Sequence, residues 1–181
     1  MITLYQRVVD GLVRQHWLLP SLSRLAFAAV LLAYFWASAQ TKLGAGLFSP
    51  SVGAYAQIFP RAMEAAGFDP SQMGAWRKLI VLAGTWAEFV LPALIVLGLM
   101  TRAAALGMIG FVAVQSLTDV FGHAADFGAW FDRASDSLIA DQRALWLVLL
   151  SVLVVQGAGP LSADRLLGGS LRSAAPGRVA S

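Results

Sequence analysis

The sequence predicts an all-α integral membrane protein: a four-helix transmembrane bundle with an interfacial N-terminal helix and short helices in the first loop. Three observations predict it. Hydrophobic residues make up 58% of the 181, charged residues only 13%, and the mean hydropathy is +0.69, whereas soluble domains carry about 25% charged residues. Four apolar runs each approach or exceed the roughly 20 residues that a helix needs to cross a bilayer. None alternates with a period of two, and within lipid only helices or closed barrels satisfy the backbone.

The elements follow in order. Residues 1–17 read as an interfacial amphipathic segment, with Leu4, Val8 and Leu12 on one side and Arg7, Asp10 and Arg14 on others. The transmembrane domain covers 18–156. Its first span, 18–39, reads LLPSLSRLAFAAVLLAYFWASA. Ala37-Ser38-Ala39 resembles a signal-peptidase site, but the long preceding region favours a retained helix. A long loop over 43–78 has an apolar middle, and Tyr55, Ile58, Phe59, Met63 and Phe68 predict short helices lying on the membrane or over the bundle mouth. The second span, 79–100, contains Glu88 and Pro92, the proline predicting a kink. A tight turn at Thr101-Arg102 makes the second and third spans an antiparallel hairpin, and the third covers 103–121. The loop over 122–137 is acidic, with Asp126, Asp132 and Asp136; the fourth span covers 138–156. The remainder, 157–181, is a basic tail rich in Gly, Ser and Ala, its end expected to be mobile. Ala29, Ala33 and Ala37, like Ala103 and Gly107, form small-residue stripes that predict close helix packing. Trp17, Trp36, Trp76 and Trp130 fall near the expected interfaces as anchors.

Composition excludes much chemistry. With no cysteine there is no disulfide, thiol redox chemistry, thiolate zinc site or Cys-ligated iron–sulfur cluster. Two histidines, His16 and His123, are too few for most metal or haem centres, so no metal site and no intrinsic cofactor are expected. The net charge of +3 is spread over single basic residues, which argues for lipid head groups and against nucleic acid. Four spans put both termini on one face. Arg7, Arg14, Arg102, Arg165, Arg172 and Arg178 fall on that face, and Lys42, Arg61, Arg77, Lys78, Arg133 and Arg143 on the other. Arg24 tips this balance toward an N-in, C-in protein of the bacterial inner membrane.

An ordered set of residues resembles the DoxX family of small bacterial four-helix membrane proteins. It runs from Arg24 and Lys42-Leu43 in the first helix through Glu88, a Leu-Gly-Leu ending and Thr101-Arg102 in the second. It continues with His123 after the third and the exit Gly157-Ala-Gly-Pro-Leu-Ser-Ala-Asp164 after the fourth, so that it covers roughly 20–167. The first helix departs from the family pattern, carrying Ala-Ser-Ala-Gln where a glycine is expected before the lysine. The resemblance implies a membrane subunit associated with a redox system, such as a quinol oxidase or a thiosulfate–quinone oxidoreductase. It equally implies a membrane partner of redox or metal-stress proteins.

Charge at the centre of a bilayer costs about 2.5–3.5 kcal/mol on insertion scales, so Glu88 should face the bundle interior. It lies about nine residues into the predicted second span, roughly 14 Å below the loop face. Gln115, Asp119 and His123 share one face of the third helix at intervals of four, and Gln115 lies at the depth of Glu88. Gln40 and Lys42 end the first helix on the same side. Together with Trp86 these residues define a candidate polar pocket for a quinone head group, a proton or a cation. The alternative is a structural bond from Glu88 to Lys42 or Gln115 that fixes packing, with His123 as a surface or capping residue. Arg24 either snorkels to the head groups or pairs with Asp164 as a clamp at the bundle end. Three functions follow: a redox-associated subunit handling quinone or protons near Glu88 with a soluble redox partner; a non-catalytic anchor docking a periplasmic or secreted protein through its loops; and a small transporter, which a single buried acid and the absence of an inverted repeat disfavour.

Overall fold

Four apolar helices dominate the computed structural model, which describes residues 2–167. Helix α1 (Ile2–Val13) precedes the first span; the side chains of Leu4, Val8 and Leu12, and the tail residues Arg172 and Arg178, lie outside what is described. The spans are α2 (Leu18–Lys42), α5 (Gly74–Leu97), α6 (Thr101–Gly122) and α7 (Leu138–Gln156). They form a closed ring in which α2 touches α5 and α7, and α6 completes the circuit. The chain is a multi-pass membrane protein.

The buried face of α2 is Ser23, Phe27, Leu31, Phe35, Ala39 and Lys42. Residues four apart drift round a 3.6-residue helix, and a π turn over Ala28–Leu32 brings the stripe back toward the core. Its apolar members pack with Ile95, Met108, Val112, Trp146, Leu150 and Leu153, and Trp146 meets Phe35 edge-on with ring centroids 6.0 Å apart. The alanine stripe Ala29, Ala33 and Ala37 is on the exposed side instead, as is Ala103, whereas Gly107 lies close against α5, where a Cβ would stand 3.2 Å from Leu91 Cδ2. On α2 the bulky aromatic stripe fills the ring interior and leaves Ala29, Ala33 and Ala37 outside.

Helix α2 runs three residues beyond the expected boundary, to Lys42, and α5 begins five residues early, at Gly74. The segment between them is a small folded cap. A hairpin pairs β1 (Leu43–Gly46) with β2 (Ser49–Pro50). Two short helices follow, α3 (Val52–Ile58), capped by the Ser51 side chain, and α4 (Pro60–Ala65). Ala54, Tyr55, Met63 and Met73 bury themselves against Val81 of α5 as a second core. The Asp69 carboxylate accepts the Ser71 N–H at 2.9 Å, and this bond holds its carboxyl below the ordinary range.

The α5–α6 turn is Gly98–Met100, not Thr101-Arg102, which already belong to α6. Leu99 N–H donates to the Leu94 carbonyl and Gly98 N–H to that of Ile95, a Schellman ending built on a left-handed glycine. Gly98 has φ +69°, and a Cβ there would stand 2.6 Å from Ser162 Cβ and 2.9 Å from Arg24 Cζ. Gly98→Ala is therefore expected to cost about 2–4 kcal/mol from left-handed strain and overpacking together. A thermal unfolding series in detergent, with Gly110→Ala as an unstrained comparison, checks it.

Candidate functional site

Lys42, the last residue of α2, reaches Glu88 in the middle of α5, where its ammonium lies 2.7 Å from both carboxylate oxygens. The third ammonium proton goes to Ser38 Oγ at 2.7 Å, so all three donors of Lys42 are used. The two side chains are only 7% and 2% exposed. A buried pair survives only when its charges and hydrogen bonds are both satisfied, and here each oxygen and each proton has a partner. Pro92, four residues after Glu88, lacks the N–H that would bond the Glu88 carbonyl.

Beside the pair, a cavity of about 460 Å³ lies between α5 and α6. Its walls are Ile80, Ala83, Gly84, Ala87 and Leu91 on α5, and Gly107, Gly110, Phe111 and Val114 on α6. The glycines make the room: nothing lies within 4 Å of where a Gly110 Cβ would stand. Ala83, Gly107, Gly110 and Val114 are exposed residues of spanning helices, so the open side of the cavity faces hydrocarbon. Ser38, Lys42 and Glu88 close its inner end. Toward the loop face, Gln115, Thr118, Asp119 and His123 make its wall polar, and Gln57 and Ile58 of α3 cover the rim.

Of the sequence candidates, Lys42, Glu88, Gln115, Asp119 and His123 meet on this cavity. Gln40 and Trp86 do not. Each stands two residues from a member of the ion pair, about 200° round its helix. Gln40 is exposed, and Trp86 packs on Phe48 of the hairpin tip and on Phe89. Gln115 Nε2 lies 3.4 Å from the Tyr34 hydroxyl, while its Oε1 is buried without a partner among the described residues. His123 Nε2 donates to the Gln57 carbonyl at 2.9 Å and ties α6 to the cap. Among the described residues no group of three His, Cys, Asp or Glu side chains could hold a metal ion.

A second ion pair adjoins the cavity. Arg143 of α7 is buried, donating to Asp119 at 2.5 Å and to Ser116 Oγ at 2.8 Å. Sequence reasoning left Arg143 on the loop face. Its spacing to Trp146, Leu150 and Leu153 could have placed it on the buried stripe of α7.

Arg24 and Asp164 do not bond to each other. The guanidinium donates to the carbonyls of Ile95 and Val96 at the end of α5, and to those of Ala158 and Leu161 in the exit segment. Asp164 accepts the Met100 and Thr101 N–H groups at 2.7 and 3.0 Å, at the start of α6. A cation at a helix C-terminus and an anion at an N-terminus each answer the helix dipole, so the clamp is two backbone caps rather than a side-chain pair. In the second loop Asp126 and Asp132 accept the N–H groups of Gly128 and Ala134, so both acids hold their own turns. Comparisons of the chain with protein-family models, with curated proteins and with solved structures found no match.

Proposed function

We propose that the chain is a DoxX-like integral membrane subunit of a redox system, and that the α5–α6 cavity receives the head group of a membrane-dissolved quinone. The observation that carries this reading is an apolar-walled cavity, open toward hydrocarbon, that ends on a buried, fully bonded ion pair. Its volume, about 460 Å³, falls in the range of small-molecule sites. The polar groups suit the ligand. Gln115 Oε1, buried and unpartnered, would accept from a quinol hydroxyl, and its loosely held amide would donate to a quinone carbonyl. The side chains carry no two-electron centre, so a soluble partner supplies the electrons. In the N-in, C-in orientation in the bacterial inner membrane, the polar rim of the cavity faces the periplasm.

Gly110→Leu tests the reading, because the new side chain grows into open space. Protein purified in nanodiscs is expected to lose at least about tenfold of its co-extracted quinone, equivalent to 1.4 kcal/mol or more, with unchanged thermal stability. Equal quinone content in both proteins removes the proposal. A second reading, a non-catalytic anchor for a periplasmic protein of a metal or oxidative stress system, draws on the loop face. There Phe131 is fully exposed beside the exposed Trp130. In that case Gly110→Leu leaves capture of the partner intact.

A further inference from the structure

A second cavity, of about 400 Å³, lies on the loop face between the hairpin, α3 and the start of α5. We propose that it binds a phosphate group, carried by a lipid head or free in solution. Its lining includes Ser49, Tyr55, Ser71 and Lys78, together with Gly74 and Ala75 at the start of α5.

Two independent observations converge on an anion. Helix α5 starts with no side-chain cap and no acid in its first turn, so its first N–H groups and the positive end of its dipole are unanswered by side chains. Separately, Tyr55 is only 4% exposed, its ring packed with Met63, Met73 and Val81, yet its hydroxyl makes no hydrogen bond among the described residues. Tyr55 lines the cavity, so a group that enters it is within reach of this hydroxyl. Burial pushes the Tyr55 phenol up, so at neutral pH it is a donor.

The remaining chemistry agrees. Lys78 stands one turn into α5 and has no ion-pair partner among the described residues. No carboxylate lines the cavity. The nearby Asp69 is turned to its own loop, accepting from Ser71 N–H, Ser71 Oγ and Gln72 Nε2. Ser71 is thus committed to Asp69, and what remains for a ligand is the Lys78 ammonium, the Tyr55 and Ser49 hydroxyls and the uncapped start of α5, a donor set matched to a tetrahedral oxyanion. The exposed Trp76 and half-buried Arg77 beside it mark the level of the head groups.

The test is native mass spectrometry of the full chain in detergent, titrated with phosphatidylglycerol or with inorganic phosphate. Lys78→Gln is expected to weaken binding about tenfold and Tyr55→Phe about fivefold, the cost of a charged and a neutral hydrogen bond respectively. Tyr55→Phe keeps the ring in the cap core, and Lys78 is exposed, so both variants should melt with the wild type. If phosphatidylglycerol responds to the variants and inorganic phosphate does not bind, the source is a lipid head. If inorganic phosphate binds and displaces the lipid, the free ion also serves. Binding of both probes that neither variant weakens, or of neither probe at all, overturns the proposal.

Discussion

Glu88→Ala is expected to destabilise the bundle by about 3–5 kcal/mol, the usual cost of leaving one charge of a buried pair alone. The Lys42 ammonium would then have Ser38 as its one remaining partner, in a position only 7% exposed. The double replacement Lys42→Met with Glu88→Leu removes both charges and keeps similar volumes, so most of the stability should return. Unfolding in mixed micelles measures both, and the two single variants complete a cycle that isolates the pair. A Glu88→Ala protein within about 1 kcal/mol of wild type contradicts the buried pair outright. The double variant also divides function from packing. Restored stability with lost quinone makes the pair part of the binding site; restored stability with retained quinone makes it a packing device.

The second pair should respond unequally to loss of its two members. Arg143 is 2% exposed, whereas Asp119 is 27% exposed on the cavity wall. Asp119→Ala strands a guanidinium in the core, with Ser116 as its remaining partner, and is expected to cost about 3–5 kcal/mol. Arg143→Met strands a carboxylate that water or a cavity ligand can reach, and it fills the vacated space, so about 1–2 kcal/mol is expected. Thermal unfolding of the two variants side by side checks the order. A reversed order would mean that the carboxylate, not the guanidinium, is the more deeply enclosed charge.

The four spans were legible in the sequence because length and hydropathy report directly on the bilayer. Their ends were less so. The first boundary was set where apolar character fades, at Ala39, but the helix continues until Lys42 meets its partner. The turn at Gly98 was missed because hydropathy runs through it, and the left-handed backbones of Gly98 and Met100 mark the stop. Among site residues, Gln115, Asp119 and His123, joined by i, i+4 spacing, do line one cavity, although the helix that carries them turns from α to π over Thr118–Gly122. Depth alone grouped Gln40 and Trp86 with them, and depth says nothing about azimuth. Arg143 was read by its charge, while its place on the face of Trp146 and Leu150 decided its fate. Both cavities arise from contacts between distant segments, and no local pattern announces them; the hairpin at 43–50 is local, but its strands are too short for an alternating pattern to show.

Arg24 has a consequence for how the protein is made. Two of the carbonyls it binds belong to Ala158 and Leu161, which leave the ribosome more than 130 residues later. Until then the first helix enters the insertion machinery with a guanidinium that must stay hydrated at the membrane edge. Biogenesis is thus biased toward a late closure, in which the last span docks and its exit segment folds back over the first. The first span is fully held in place only when the segment that follows the fourth span arrives.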